Sequence, residues 1–142
     1  MLHVRIELAS AFNLLAALRR HVEAPGELMG AAVPVVAGAI ERNFDEEGRP
    51  IPWPPLAPAT LRRKPAGLKI LQRTGRLRGS IATRVEGNTI VASTDVPYAA
   101  AHQFGAPRRR LPARPFLLLT AEDAEAIASA AADSLQSTSR DQ

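Results

Sequence analysis

The sequence predicts an α+β domain, a small and mainly antiparallel sheet packed with two N-terminal helices and one C-terminal helix, with long Pro/Arg-rich loops. Three observations carry that reading. Leu2, Val4, Ile6 and Leu8 alternate with His3, Arg5 and Glu7, and two further alternating runs flank Gly87-Asn88. Period two is that of half-buried strands, and a Gly-Asn pair between such runs signals a tight hairpin. Three longer stretches repeat apolar residues every three or four positions, the period of amphipathic helices. Prolines cluster in two breaks, 49–58 and 107–115, where neither helix nor strand can continue.

Taken in order, the strand over Leu2–Leu8 is followed by Ser10 as a helix N-cap and by the stripe Ala11, Leu14, Leu15, Leu18 and Val22. Pro25-Gly26 breaks that helix. A second stripe, Met29, Val33, Val36, Ile40 and Phe44, runs to about Glu47, with Gly48 as its stop and Pro34 either kinking it or marking its true first turn. The run Arg49–Pro58 reads as a polyproline-like loop pinned by Trp53 and Leu56, with Trp53 either plugging an edge of the core or touching a partner. Pro58-Ala59-Thr60-Leu61 opens a short helix, and Lys64–Arg73 reads as a flexible loop with solvated or partner-bound cations. Leu71, Thr74 and Leu77 fall on one face of a short helical turn, where Gly75 permits close approach. The hairpin Ser80–Glu86 and Thr89–Thr94 completes the sheet, with Ile90, Ala92 and Thr94 on one face. Thr120 with Asp123 makes a capping-box-like start to a last helix striped by Ala124, Ile127, Ala128, Ala131 and Leu135. The polar residues 137–142 form a tail that should fray, so that residues 1–136 make one domain.

Composition narrows the function classes. Of 142 residues 46% are hydrophobic, but 26 are alanine, so the core is thin and subunits gain by lending one another apolar surface. With no cysteine there is no disulfide, thiolate chemistry or sulfur-ligated zinc. The N-terminal MLHVRIELAS is too charged for a secretory signal, and no apolar run approaches the roughly 18 residues that span a bilayer, so a soluble protein without membrane contact is expected. Net charge is +4, unevenly spread. Between Leu56 and Arg114 lie twelve of the eighteen basic residues against only Glu86 and Asp95, while the flanks carry six basic against twelve acidic residues. Such a two-faced molecule attracts either nucleic acid or the acidic surface of a neighbouring copy.

The chain concentrates its unlike chemistries in Tyr98–Phe116, YAAAHQFGAPRRRLPARPF. Gly105 is placed to cap a short helix, Arg108, Arg109 and Arg110 form a mobile or partner-facing loop, and Pro112 and Pro115 stiffen Arg114 for binding, with a carboxylate as the natural partner. Tyr98 and Phe104 on one side and Phe116 on the other are expected to anchor that loop. Tyr98-Ala99, His102-Gln103, Gly105 and Pro112-Ala113-Arg114-Pro115-Phe116-Leu117, together with Phe44, Trp53-x-x-Leu56, Thr60, Leu71-x-x-Thr74-Gly75-x-Leu77 and Ser80, resemble the signature of the phage virion morphogenesis family of tail-completion proteins. The resemblance covers almost the whole chain and departs at the proline-loaded approach to Trp53. It implies a structural protein of a tailed phage or prophage, assembled in the bacterial cytoplasm, that completes the tail and prepares it for joining to the head. It further implies a ring of copies, sixfold by the symmetry of phage tails, meeting the tail terminator, the tail tube or the head-side connector, and it implies no cofactor. On this reading Trp53, Tyr98, His102, Gln103, Arg114 and Phe116 belong to a subunit or partner interface, and Arg62, Arg63, Lys64, Arg108, Arg109 and Arg110 face a partner or the DNA channel.

Other chemistries find less support. The histidines are His3, His21 and His102, and only His102 has a suggestive setting, read as a structural hydrogen-bonder locking its segment to its neighbours ahead of a catalytic or metal-binding role. No phosphate-binding glycine loop or metal-ligand spacing occurs. Asp45-Glu46-Glu47 read most simply as a solvated helix end, although they oppose the helix dipole and so hint at a basic partner. A basic nucleic-acid-binding module is the rival class, but neither arginine cluster is interleaved with aromatics for base stacking.

Overall fold

A computed structural model describes residues 2–6, 25–64, 66–87 and 89–140, and these form an α+β fold. Three strands, β1 (Leu2–Ile6), β2 (Ala82–Glu86) and β3 (Thr89–Thr94), make one sheet in the order β1-β3-β2. Both pairings are antiparallel: Leu2 opposes Thr94 and Ile6 opposes Ile90 on one edge of β3, while Ala82 opposes Ser93 and Glu86 opposes Thr89 on the other. Gly87, at φ +58°, supplies the left-handed backbone that so tight a β2–β3 connection requires. As the central strand, β3 is buried along Ile90–Thr94. Alternation alone places only Ile90, Ala92 and Thr94 inside. Val91 and Ser93 are buried too, and Arg84 of β2 crosses over to donate to Ser93 Oγ at 3.1 Å.

Helix α1 (Pro25–Asp45) buries Leu28, Met29, Ala32, Val36, Ala39, Ile40 and Phe44, a stripe at three- and four-residue steps. Its first residue is Pro25, where a missing N–H costs nothing. Pro34 therefore does not mark the first turn; it sits in the helix interior on the exposed side. The helix stops where Glu47 and Gly48 turn to positive φ, and Gly48 donates its N–H back to the Asn43 carbonyl at 2.8 Å. A Cβ on Gly48 would lie 2.5 Å from the Trp53 nitrogen, so no other residue fits this corner. The helix expected over 10–22 falls on residues outside those described.

Helix α5 (Ala121–Arg140) packs along α1 through Ile127 and Ala131, both buried, with small residues between them. Its capping box is present: Thr120 N–H donates to Asp123 Oδ2 at 2.9 Å and Asp123 N–H to Thr120 Oγ1 at 3.1 Å. Contrary to the expected fraying after Gln136, the helix continues to Arg140, with Ser137 Oγ donating to the Ser134 carbonyl. Asp123 does more than cap. It is fully buried and takes Arg49 Nη2 at 2.9 Å, Arg49 Nη1 at 3.1 Å and Arg42 Nη2 at 2.8 Å. Asn43 extends the network, accepting from Arg49 Nε and donating to the carbonyls of Phe116 and Leu118.

Between these helices run short elements that frame the site: α2 (Pro58–Arg63), α3 (Arg76–Ser80) and α4 (Ala99–Phe104). The 64–73 connection, expected to be flexible, is tied to the end of α1. Lys69 Nζ donates to the Asp45 carbonyl, Ile70 N–H to Glu47 Oε1 and Gln72 Nε2 to the Phe44 carbonyl. Gly75 serves α3 through its φ of +73°, not through close approach, since nothing lies within 4 Å of where its Cβ would be. The acidic end of α1 finds its basic partner within the chain: Arg78 bonds Glu41 at 2.6 Å and Asp45 at 2.8 Å, with its guanidinium over the Phe44 ring.

Candidate functional site

The Tyr98–Phe116 segment is held at both ends by buried groups. Phe116 is fully buried against Phe44, whose ring meets Trp53 edge-on at 5.6 Å. Trp53 itself is 5% exposed and donates Nε1–H to the Pro115 carbonyl at 3.0 Å, so it plugs the core of the chain. Gln103 acts as a side-chain substitute for a strand: its Oε1 accepts from the N–H groups of Phe116 and Leu117, both at 3.0 Å, and its Nε2 donates to the Leu117 carbonyl at 3.1 Å. Phe104, expected as a second aromatic anchor, is 66% exposed, and Tyr98 37%. The buried amide of Gln103 does the anchoring that was expected of Phe104.

Between these anchors the arginine loop has a fixed shape. Ala106 and Leu111 exchange backbone hydrogen bonds of 2.8 and 3.1 Å, closing a 3-10 turn (Pro107–Arg109), and Arg110 takes a left-handed φ of +52°. Gly105, at φ +77°, leaves room for the returning chain, because a Cβ there would stand 2.9 Å from the Ala113 nitrogen. Arg114 follows between its prolines. Its N–H donates to the His102 carbonyl at 2.7 Å, its Nε to the Pro54 carbonyl at 2.9 Å and its Nη2 to the Pro55 carbonyl at 3.0 Å. The arginine is 4% exposed, as expected of a buried binder, but its partners within the chain are carbonyls and not the carboxylate that was expected.

These elements enclose an open cleft of about 820 Å³. Its floor and walls are apolar in part, with Leu56, Leu71, Leu77, Leu111 and Tyr98, and cationic in part, with Lys64, Arg73, Arg109, Arg110 and Arg114. Among the described residues no acid lines it. Burial lowers the pKa of His102, and the charges of Arg114, Arg109 and Lys64 lower it further, so the ring is neutral near pH 7. Its Nδ1 is buried without a hydrogen-bond partner among the described residues, while its ring sits edge-on to Tyr98 at 5.7 Å. The locking expected of the His102 side chain is performed by its backbone carbonyl. Burial also depresses the Arg114 pKa, as befits a cation removed from water without a counter-charge.

Of the residues singled out from sequence, the cleft gathers Lys64, Tyr98, His102, Arg109, Arg110 and Arg114. Trp53, Gln103 and Phe116 lie in the packing that supports it, and Arg62, Arg63 and Arg108 are exposed outside its lining. Sequence reading did not single out Arg73, placing it only at the end of the Lys64–Arg73 loop of solvated or partner-bound cations. Leu56, Thr60, Leu71, Thr74, Leu77 and His102, six positions that carried the family resemblance, all line this cleft.

Comparison with known proteins decides the family. The chain matches the phage virion morphogenesis family over residues 6–136. It belongs to that family. It is also 34% identical over 128 residues to "Mu-like prophage FluMu G protein 2" of Haemophilus influenzae, an alignment covering 84% of this chain and 87% of the relative. No solved structure matches it. A phage virion morphogenesis protein has a structural role, and the cleft suits one: it offers donors and an apolar bed for a partner. Among the described residues no group of His, Asp or Glu could hold a metal ion, and no helix is long and apolar enough to cross a membrane.

Proposed function

We propose that this protein is a structural component of the tail or neck of a tailed phage or prophage particle, completing the tail and supporting head–tail joining as a ring of copies around the DNA channel. The observation that carries this reading is a cationic cleft, without an acid among the described residues, on a chain of the phage virion morphogenesis family. A buried, uncompensated arginine is costly in an isolated subunit and becomes favourable when a partner supplies the anion. Exposed Phe104, Leu61 and Ile51, at 66%, 57% and 78%, add apolar surface for contacts with other copies or with neighbouring proteins such as the tail tube, the tail terminator or the head-side connector. The chemistry is non-enzymatic: the role is binding and assembly.

A second reading is favoured by Arg62, Arg63 and Arg108, which are exposed without acidic partners among the described residues. They suit non-specific contact with DNA phosphates, either in the channel of the ring or in a nucleic-acid-binding module that acts alone. Negative-stain microscopy of the purified protein separates the two. Discrete rings support the assembly reading, and monomers that retard duplex DNA in a salt-sensitive manner support the other. In an infection lacking the protein, the assembly reading expects separate heads and tails, and added protein should restore joined particles.

A further inference from the structure

The ring reading leaves open which surface of one copy meets which surface of the next, and the charges that remain unpaired within the chain answer it. Four of the eight exposed carboxylates among the described residues are already engaged, Glu41 and Asp45 with Arg78, Glu46 with Arg49, and Glu86 with Arg84; of the other four, Asp95 stands alone after β3 and three share one helix. Glu122, Glu125 and Asp133 on α5 are exposed and form no ion pair among the described residues. At 3.6 residues per turn these three fall within roughly 80° of the helix circumference. Small residues, Ala126 and Ser129, lie on the same exposed face, and no basic residue interrupts it before Arg140. This is an acidic helix face with shallow relief, able to approach a neighbour closely.

The cleft is its complement. Among the described residues, Lys64, Arg73, Arg109, Arg110 and Arg114 converge there without an acid, and His102 Nδ1 is buried beside them without a hydrogen-bond partner. Resting on the ring reading, we propose that the cleft is the socket of the subunit contact and that it receives Glu122 and Glu125, one turn apart on α5, from a second copy. Guanidinium groups at Arg109, Arg110 and Arg114 match carboxylates in a planar, bidentate way. Leu56, Leu71 and Leu77 give the incoming helix turn an apolar bed, which a phosphate backbone would not use. Socket and plug are different surfaces of one chain, so the contact is heterologous, and repetition of a heterologous contact closes a ring when its rotation permits. The segregation of charge between residues 56–114 and the flanks is thereby explained as a device that orients neighbouring copies.

Reciprocal charge reversal tests this on the full chain. A cleft variant, Lys64→Glu/Arg109→Glu/Arg110→Glu, and a helix variant, Glu122→Lys/Glu125→Lys, are purified separately and compared with wild type by sedimentation velocity, with circular dichroism to verify folding. Each variant alone should associate on the order of 30-fold more weakly than wild type or worse, since like charges then face each other. Mixed in equal amounts, they should recover assembly as particles of strictly one-to-one composition, because each socket again meets a plug of opposite charge. Wild-type-like assembly of either variant alone, or a mixture that stays dissociated, overturns the socket while leaving the ring reading intact. A wild type that stays monomeric overturns both, and if that monomer retards DNA while the cleft variant does not, the cleft belongs to phosphates.

Discussion

At the scale of single residues, two buried polar side chains do what the sequence assigned elsewhere. Gln103 holds the far end of the arginine loop through three buried hydrogen bonds, two of them from backbone N–H groups that have no other partner among the described residues. Gln103→Ala should destabilise the fold by about 3 kcal/mol in urea melts, because each stranded buried group costs about 1 to 3 kcal/mol. Asp123 was legible as a helix cap, three residues after Thr120. Its ion pairs with Arg42 and Arg49 were not, since those residues lie 81 and 74 positions away in sequence and nothing local marks them. Burial by itself would push the Asp123 carboxyl up, but the bonds from Arg49 and Thr120 outweigh it and hold the carboxyl below its ordinary value of 3.8. The folded pKa lies below the unfolded one, so the stabilisation is fully present above the ordinary carboxylate range and is lost as pH falls through the folded value. Asp123→Asn should therefore cost about 3 to 5 kcal/mol at neutral pH, by leaving the nearly buried Arg49 with only the exposed carboxylate of Glu46 as a charge partner. It should also flatten the acid limb of thermal midpoint against pH. An acid limb as steep as that of wild type would contradict this assignment.

At the scale of elements, the strands and long helices were readable wherever one period held over enough residues. Strand β3, the capped start of α5 and the stop of α1 at Gly48 fall where their side-chain patterns placed them, while β2 begins at Ala82 and not at Ser80, which closes α3 instead. Position relative to other elements was not readable. Nothing in Thr89–Thr94 says that β3 is central, and nothing near Phe104 says that the ring faces outward. The arginine loop shows the same division. Three adjacent arginines suggested mobility, yet the loop is closed by the Ala106–Leu111 bridge and by backbone turns that owe nothing to the arginine side chains. Replacing Arg108, Arg109 and Arg110 together by serine should move the thermal midpoint little, because exposed charges contribute at most about 1 kcal/mol each. Phe116→Ala should cost about 3 to 5 kcal/mol, as expected for truncating a fully buried aromatic. Phe104→Ala, at an exposed ring, should stay within about 1 kcal/mol, and equal losses at the two positions would refute the division of labour drawn here.

At the scale of the whole molecule, the excess of arginine and lysine over residues 56–114 was visible in the sequence, but its destination was not. Folding spends part of that excess internally, on Arg78 and Arg84, and gathers Lys64, Arg73, Arg109, Arg110 and Arg114 around one cleft without an acid among the described residues. Cations 36 to 50 positions apart meet there because Arg114 ties the arginine loop to the Pro54-Pro55 segment ahead of α2 and the 69–72 segment is bonded to the end of α1, which no local pattern encodes. Assembly through charge, as proposed above, would make this member of the phage virion morphogenesis family one copy among several, joined by surfaces that salt can screen. Native mass spectrometry of the purified full chain at rising ammonium acetate concentration tests this most directly. The account predicts a single closed oligomer at low salt that gives way to monomer as salt rises, whereas a chain that remains monomeric at every salt concentration would contradict it.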